Sequence, residues 1–275
     1  PSPPFPPPPP VSPGFDVAAA SEAELRNLIQ SANADVSISL PPSADFKLGS
    51  TIRCASTIKV TVASSGEGAT LDGQELTGLF RLEGGCSLTL RGLTLVNGRA
   101  DRGGVVYAYG AGDVEIIDST VRDCSASYSI GGGVYGRGGV VRAFRSGAVS
   151  ISGSAVTGCA VGNRGGVVWA YDSESLSIAG VDFIDNRAGR SGSVLYLDKL
   201  RQRSSISGAS FTGNTAGDDN DDATIETVNS PLNWDCRLGS WMPRKGSFFD
   251  DFSVPECNLC PAGYYGNTSG LTNSS

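Results

Sequence analysis

Three stretches decide how this chain is read: GGVVYAY at 103–109, GGVVRAF at 138–144 and GGVVWAY at 165–171. Two glycines, a β-branched pair and large aromatics would sit oddly in an isolated strand, yet the chain makes the same element three times. The flanking segments repeat with it. SLTLRGLTLVNGRA begins at Ser87, DVEIIDSTVRDCSA at Asp113, AVSISGSAVTGCAV at Ala148 and SLSIAGVDFIDNRA at Ser175, and a last copy, ending SISGASFTGNTA, reaches Ala216. The matching positions Leu95, Val121, Val156, Phe183 and Phe211 lie 26, 35, 27 and 28 residues apart, the 35 being one unit plus an insertion around YSIGGGVYG. A period of about 27 residues is a solenoid signature.

Each unit holds short alternating strands: Leu88 with Leu90, Val114 with Ile116, Val149 with Ile151 and Leu176 with Ile178 keep a period of two. No proline occurs between Ser43 and Ser230, as continuous strand pairing requires. With about three strands per coil, each pairing with the next coil at roughly 4.8 Å, the expected fold is all-β, a right-handed parallel β-helix solenoid. Ser21 as N-cap, Glu24 as its capping-box partner and the stripe Leu25, Leu28, Ile29 and Ala32 predict an N-terminal capping helix at about 21–33. The motifs GNTA at 213–216, DNRA at 185–188, GGVVY at 103–107 and TLDG at 70–73 resemble the right-handed β-helix repeat family, the pectate-lyase-like superfamily in its broad sense, and within it adhesin-type extracellular members. The resemblance covers about residues 20 to 230. It implies the fold, which hosts many activities.

The two ends differ from the repeat. PSPPFPPPPPVSP at 1–13 contains nine of the fifteen prolines and reads as extended polyproline II. It resembles Ser/Pro-rich stretches of plant and green-algal wall glycoproteins, which implies hydroxylated, glycosylated prolines; a plain rigid spacer fits the same composition. ECNLCPAGYYG, from Glu256, resembles the opening C-x-x-C-P-x-G-x-Y of small cysteine-rich modules in ephrin-receptor-type extracellular proteins. On that likeness the chain stops inside the module. The expected organisation is a proline-rich segment at 1–15, the β-helix at 16–230, an irregular cap or linker at 231–255 and the module's start at 256–275. Asn267 and Asn273 are N-glycosylation acceptors in a secreted chain.

Composition removes several functions. A formal net charge of -7 on 275 residues argues against a nucleic-acid binder, which needs a surplus of Lys and Arg. No run of about 18 apolar residues is present, so no membrane span is expected. The first residues carry no basic-then-apolar signal, as expected of a mature chain or a fragment. Histidine is absent, which removes the serine triad, the commonest general base and the usual catalytic zinc sites. Asp218-Asp219-Asn220-Asp221-Asp222 offers oxygens to Ca²⁺ but lacks the glycine and terminal glutamate of an EF-hand, and reads rather as a solvated loop. No metal, cofactor or catalytic residue is expected.

The seven cysteines leave pairing open. Cys124 and Cys159 hold equivalent stations on adjacent coils, a spacing compatible with a disulfide or equally with a buried column of free thiols. Asn186 and Asn214 continue that column and are expected to ladder through their amides. Cys236 is a nearby partner candidate for Cys257 or Cys260.

Alternation assigns Val106 and Ala108, Val141 and Ala143, and Val168 and Ala170 to the core. The opposite face then carries Tyr107, Arg142, Trp169 and Tyr196 in one column and Tyr109, Phe144, Tyr171 and Asp198 in the next. Arg102, Arg137 and Arg164 precede each double glycine and form a third column, with Asp101 as a counter-charge. Such a face suits stacking of sugar or proline rings while cations meet acidic groups; the 129–137 insertion or the C-terminal segment lying over it is the plain alternative. The expected function is an extracellular structural or adhesive glycoprotein module, secreted to a wall, matrix or surface appendage. It would bind glycans or a proline-rich glycoprotein partner within a larger chain or assembly. The alternative is a polysaccharide lyase or glycoside hydrolase of the same fold, with Arg142 as the basic residue and acids such as Asp118 or Glu115 from the neighbouring strand, which requires carboxylates converging within about 5 to 9 Å. A spacer that binds nothing is the third reading.

Overall fold

Alternating apolar residues in segments of three to six, separated by corners, generate a parallel β-solenoid of about seven coils. The computed structural model describes residues 14–130, 133–217, 224–230 and 232–235, with the antiparallel strand pair Ser240–Trp241 and Asn258–Leu259. The proline-rich segment, the acidic run at 218–222, Cys236, Cys257, Cys260, Asn267 and Asn273 lie outside the described residues.

Three long sheets run the length of the stack. The first contains nine strands, from Val17–Ala18 and Val36–Leu40 to Leu232–Asp235, one strand past the boundary expected at 230. The second contains seven, from Asp45–Lys47 to Ser210–Thr212, and the third seven, from Ile52–Cys54 to Ile225–Val228. A fourth sheet of two-residue strands, from Arg99–Ala100 to Thr215–Ala216, falls between second and third in each coil from the third onward. The register matches the sequence alignment: Leu71, Leu95, Val121, Val156, Phe183 and Phe211 are successive partners. The insertion that lengthens one unit is a two-stranded antiparallel ribbon, Tyr128–Ile130 with Gly133–Tyr135.

The corners explain the glycine content. Gly92, Asp118, Gly153, Gly180 and Gly208 turn the chain from first to second sheet, and Gly110, Arg145, Asp172, Lys199 and Asn229 turn it from third to first, all with φ between 48° and 62°. Glycine adopts this left-handed region freely and Asp or Asn at modest cost. The double glycine divides two tasks. Its first member (Gly103, Gly138, Gly165) has φ of 62°, 67° and 70°; at its second, a Cβ on Gly104, Gly139 or Gly166 would overlap the carbonyl oxygen of Gly139, Gly166 or Ser193 in the next coil.

Inward side chains form one continuous apolar core from Ala19 to Ile225. The short sheet has its own small cluster of Ala126, Val161 and Ala188, because two-residue strands leave room for small side chains only. The helix Glu22–Ser31 buries Leu25 and Ile29 in the main core. Ser21 Oγ accepts from Glu24 N at 3.3 Å, and Glu24 reaches back to Ala20 N at 2.8 Å, one residue before the N-cap. No helix among the described residues is long and apolar enough to cross a membrane.

Of the two readings open for Cys124 and Cys159, the structure has the column of free, buried thiols. The disulfide joins Cys54 to Cys86, with Cα atoms 6.1 Å apart, a pair the repeat alignment does not bring together. Burial, and then Cys124 as neighbour, push the Cys159 thiol well up from its ordinary value. The column ends in the expected amide ladder. Asn186 accepts from Cys159 N at 3.0 Å and donates to Val156 O at 3.0 Å and to Asn214 Oδ1 at 2.9 Å.

Candidate functional site

The outer face of the third sheet carries the expected columns in the expected register. Arg53, Arg81, Tyr107, Arg142, Trp169, Tyr196 and Glu226 are consecutive partners, and Tyr109, Phe144, Tyr171, Asp198 and Val228 form the neighbouring row. Strand spacing of about 4.8 Å brings rings at equivalent stations to stacking distance. In the second column Tyr109, Phe144 and Tyr171 stack at 5.5 Å between centroids, with planes 5° and 7° from parallel. In the first, Trp169 and Tyr196 stack at 6.3 Å, and Trp169 lies 5.8 Å from Tyr171.

Guanidinium groups complete the array. Arg142 occupies the station between Tyr107 and Trp169, its guanidinium carbon 5.4 Å from one ring centroid and 5.0 Å from the other. Arg137 lies 4.9 Å from Trp169, Arg164 4.9 Å from Tyr196 and Arg145 5.2 Å from Phe144. Arg137 and Arg164 bridge in register, and Ser191 takes the next station. Arg164 donates to Tyr196 Oη at 2.9 Å, and burial pushes the Tyr196 phenol up. Lys199 donates to Tyr171 Oη at 3.0 Å, a bond that raises the Lys199 ammonium.

This packing changes what the face offers. The rings point outward, but their flat sides are turned along the solenoid axis and filled by neighbouring rings and guanidiniums. Trp169 and Tyr196 are therefore only 3% and 5% exposed despite lying on the outer face, while Tyr109 is 48% exposed. Tyr107, Phe144 and Tyr171 are half-buried. A sugar or proline ring cannot stack on Trp169 or Tyr196 without displacing a neighbour; it meets ring edges, phenol hydroxyls and guanidinium rims.

Arg53, Arg81, Arg145 and Lys199 belong to this face and were missed from sequence. IRC at 52–54 and FRL at 80–82 carry the signal, since both align with VYA at 106–108. Beside them a cleft of about 360 Å³ is lined by Arg53, Phe80, Arg81, Asp101, Arg102 and Tyr107, among others. The acids considered for catalysis are placed elsewhere. Glu115 stands on the first sheet, accepting from Thr89 Oγ1 at 2.7 Å, and Asp118 forms the corner after it, so neither shares a sheet with Arg142. Among the described residues no group of three or more Cys, Asp or Glu is arranged to hold a metal.

No protein-family model, curated protein or solved structure matches this chain. The reading of the face therefore rests on its own chemistry.

Proposed function

We propose that the chain is an extracellular binding and scaffolding module that holds a matrix glycan or a proline-rich glycoprotein along the third-sheet face. The winding is taken as right-handed, the sense that parallel crossovers adopt, and the helix Glu22–Ser31 as the cap of its first coil. One observation carries the reading: an acidic chain gathers arginines and rings into one continuous ladder on one face. Seventeen of its 21 basic residues are Arg, the cation that both stacks on rings and donates in a planar fork. Lysine would keep the surface soluble equally well without stacking, so the choice favours recognition of a flat or anionic partner. A buried disulfide fits an oxidising compartment.

Ring edges and guanidinium rims repeat along the axis at the coil spacing. They suit an extended polymer lying across several coils better than a single sugar. The test is affinity electrophoresis of the full chain in soluble matrix polysaccharides and titration with a proline-rich peptide, for the native protein and for Tyr109→Ala and Phe144→Ala. Retarded migration or saturable peptide binding that both substitutions weaken several-fold is the expected result. Substitutions that lower the melting temperature without any ligand being bound by the native chain would reduce the ladder to a stabilising device.

A further inference from the structure

The cleft at the N-terminal end of the ladder has a chemistry of its own. Three guanidinium groups surround one ring: Arg142, Arg81 and Arg102 lie 5.4, 5.5 and 5.8 Å from the Tyr107 centroid. Arg53, at the station before Arg81 on the same sheet, adds a fourth cation to the cleft wall. Like charges this close are within a Debye length of one another and repel. Arg81 is paired with Glu83 at 2.6 Å; among the described residues neither Arg53 nor Arg102 makes an ion pair. Arg102 instead donates to Tyr107 Oη at 3.3 Å, which fixes its head group at the rim. Among the described residues Asp101 is the one carboxylate lining the cleft, and it is exposed.

We propose that this cleft binds a tetrahedral oxyanion ester, a sulfate or phosphate group carried on a sugar. The arginines reach the cleft from three separate segments, the strands Ile52–Cys54 and Phe80–Leu82 and the chain at 100–103. Donors from three directions match the three free oxygens of a tetrahedral ester, whereas the two oxygens of a planar carboxylate are met by one guanidinium fork. Arg81 spends Nε and Nη2 on the single oxygen Oε1 of Glu83, at 3.1 and 2.6 Å. The half-buried ring of Tyr107 gives the cleft an aromatic edge for the sugar that carries the ester, while Phe80, whose side chain is buried in the core, backs the wall from within. The site does not depend on a polymer occupying the ladder, and its failure would leave that reading untouched.

The test is calorimetric titration of the full chain with glucose 6-sulfate, glucose 6-phosphate, glucuronate and glucose. Saturable binding of an ester, with glucose and glucuronate at least tenfold weaker, is expected. Arg53→Gln and Arg102→Gln should each weaken the ester about tenfold, the loss of one hydrogen bond to a charged group. Asp101→Asn should strengthen it, and Arg122→Gln on the second sheet should change nothing. Both substituted arginines are exposed, so the variants keep the native melting temperature. The source of the ester separates by pH: sulfate binding stays flat from pH 5 to 8, whereas phosphate binding rises through its second ionisation near pH 6. Equal binding of glucuronate, no saturable binding of either ester, or undiminished binding by Arg53→Gln and Arg102→Gln overturns the proposal.

Discussion

Asn186 donates from Nδ2 to Oδ1 of Asn214 at 2.9 Å, one coil further along the stack, while its own Oδ1 accepts from Cys159 N one coil back. Asn186 is fully buried, so each bond replaces water that has no access. Asn186→Ala strands the Cys159 N–H and the Val156 carbonyl, and should cost about 2–4 kcal/mol in urea-induced unfolding. Asn214→Ala, at a half-buried station, should cost less. Equal costs would mean the ladder works through local turn geometry alone.

The Cys54–Cys86 bond closes a loop with a sequence separation of 32 between the third sheet of one coil and the corner of the next. Loop-closure entropy gives it about 3–4 kcal/mol. Peptide mapping should recover Cys54 linked to Cys86, with Cys124 and Cys159 alkylated only after denaturation. The Cys54→Ala/Cys86→Ala double variant should melt at lower temperature, with its first coils losing amide protection before the rest.

Because burial raises the Cys159 thiol, the native chain holds a proton that the unfolded chain releases above about pH 8.5. Stability is thus constant below that pH and falls as pH rises beyond it. A melting temperature followed from pH 7 to 10 should decline at the alkaline end, and the decline should shrink in Cys159→Ala. Parallel curves for the two proteins would show that the thiol stays protonated in both states or ionises in both.

Gly139 and Gly180 separate two reasons for glycine. A Cβ on Gly139 meets the Gly166 backbone of the next coil, whereas a Cβ on Gly180 meets nothing within 4 Å, although φ there is +62°. Gly180→Ala should cost only the left-handed strain, about 1–2 kcal/mol. Gly139→Ala should cost more, because two backbones must separate, and should lower soluble yield as well as melting temperature.

Much of the fold was legible because a solenoid is nearly one-dimensional. The spacings of Leu95, Val121, Val156, Phe183 and Phe211 place them in one row, since each coil can pair only with its neighbours. Helix capping at Ser21 and the Asn186–Asn214 ladder were legible for a related reason: one is set within a single turn and the other between equivalent stations of neighbouring coils. Cys54–Cys86 was not, because the two cysteines hold different stations in their coils and no alignment of repeats brings them together.

Of the candidate site, the sequence by itself determined which residues share the outer face, through the period of two in each strand and the period of about 27 between coils. Only the tertiary structure decided how that face is presented. The rings stack with their planes nearly parallel from coil to coil, which buries Trp169 and Tyr196 and leaves Tyr109 open. The cleft is likewise a tertiary feature, since Arg53, Arg81 and Arg102 come from segments that meet only when successive coils are stacked. Periodicity specifies which stations coincide; the packing of finite side chains on those stations specifies what remains accessible to a ligand.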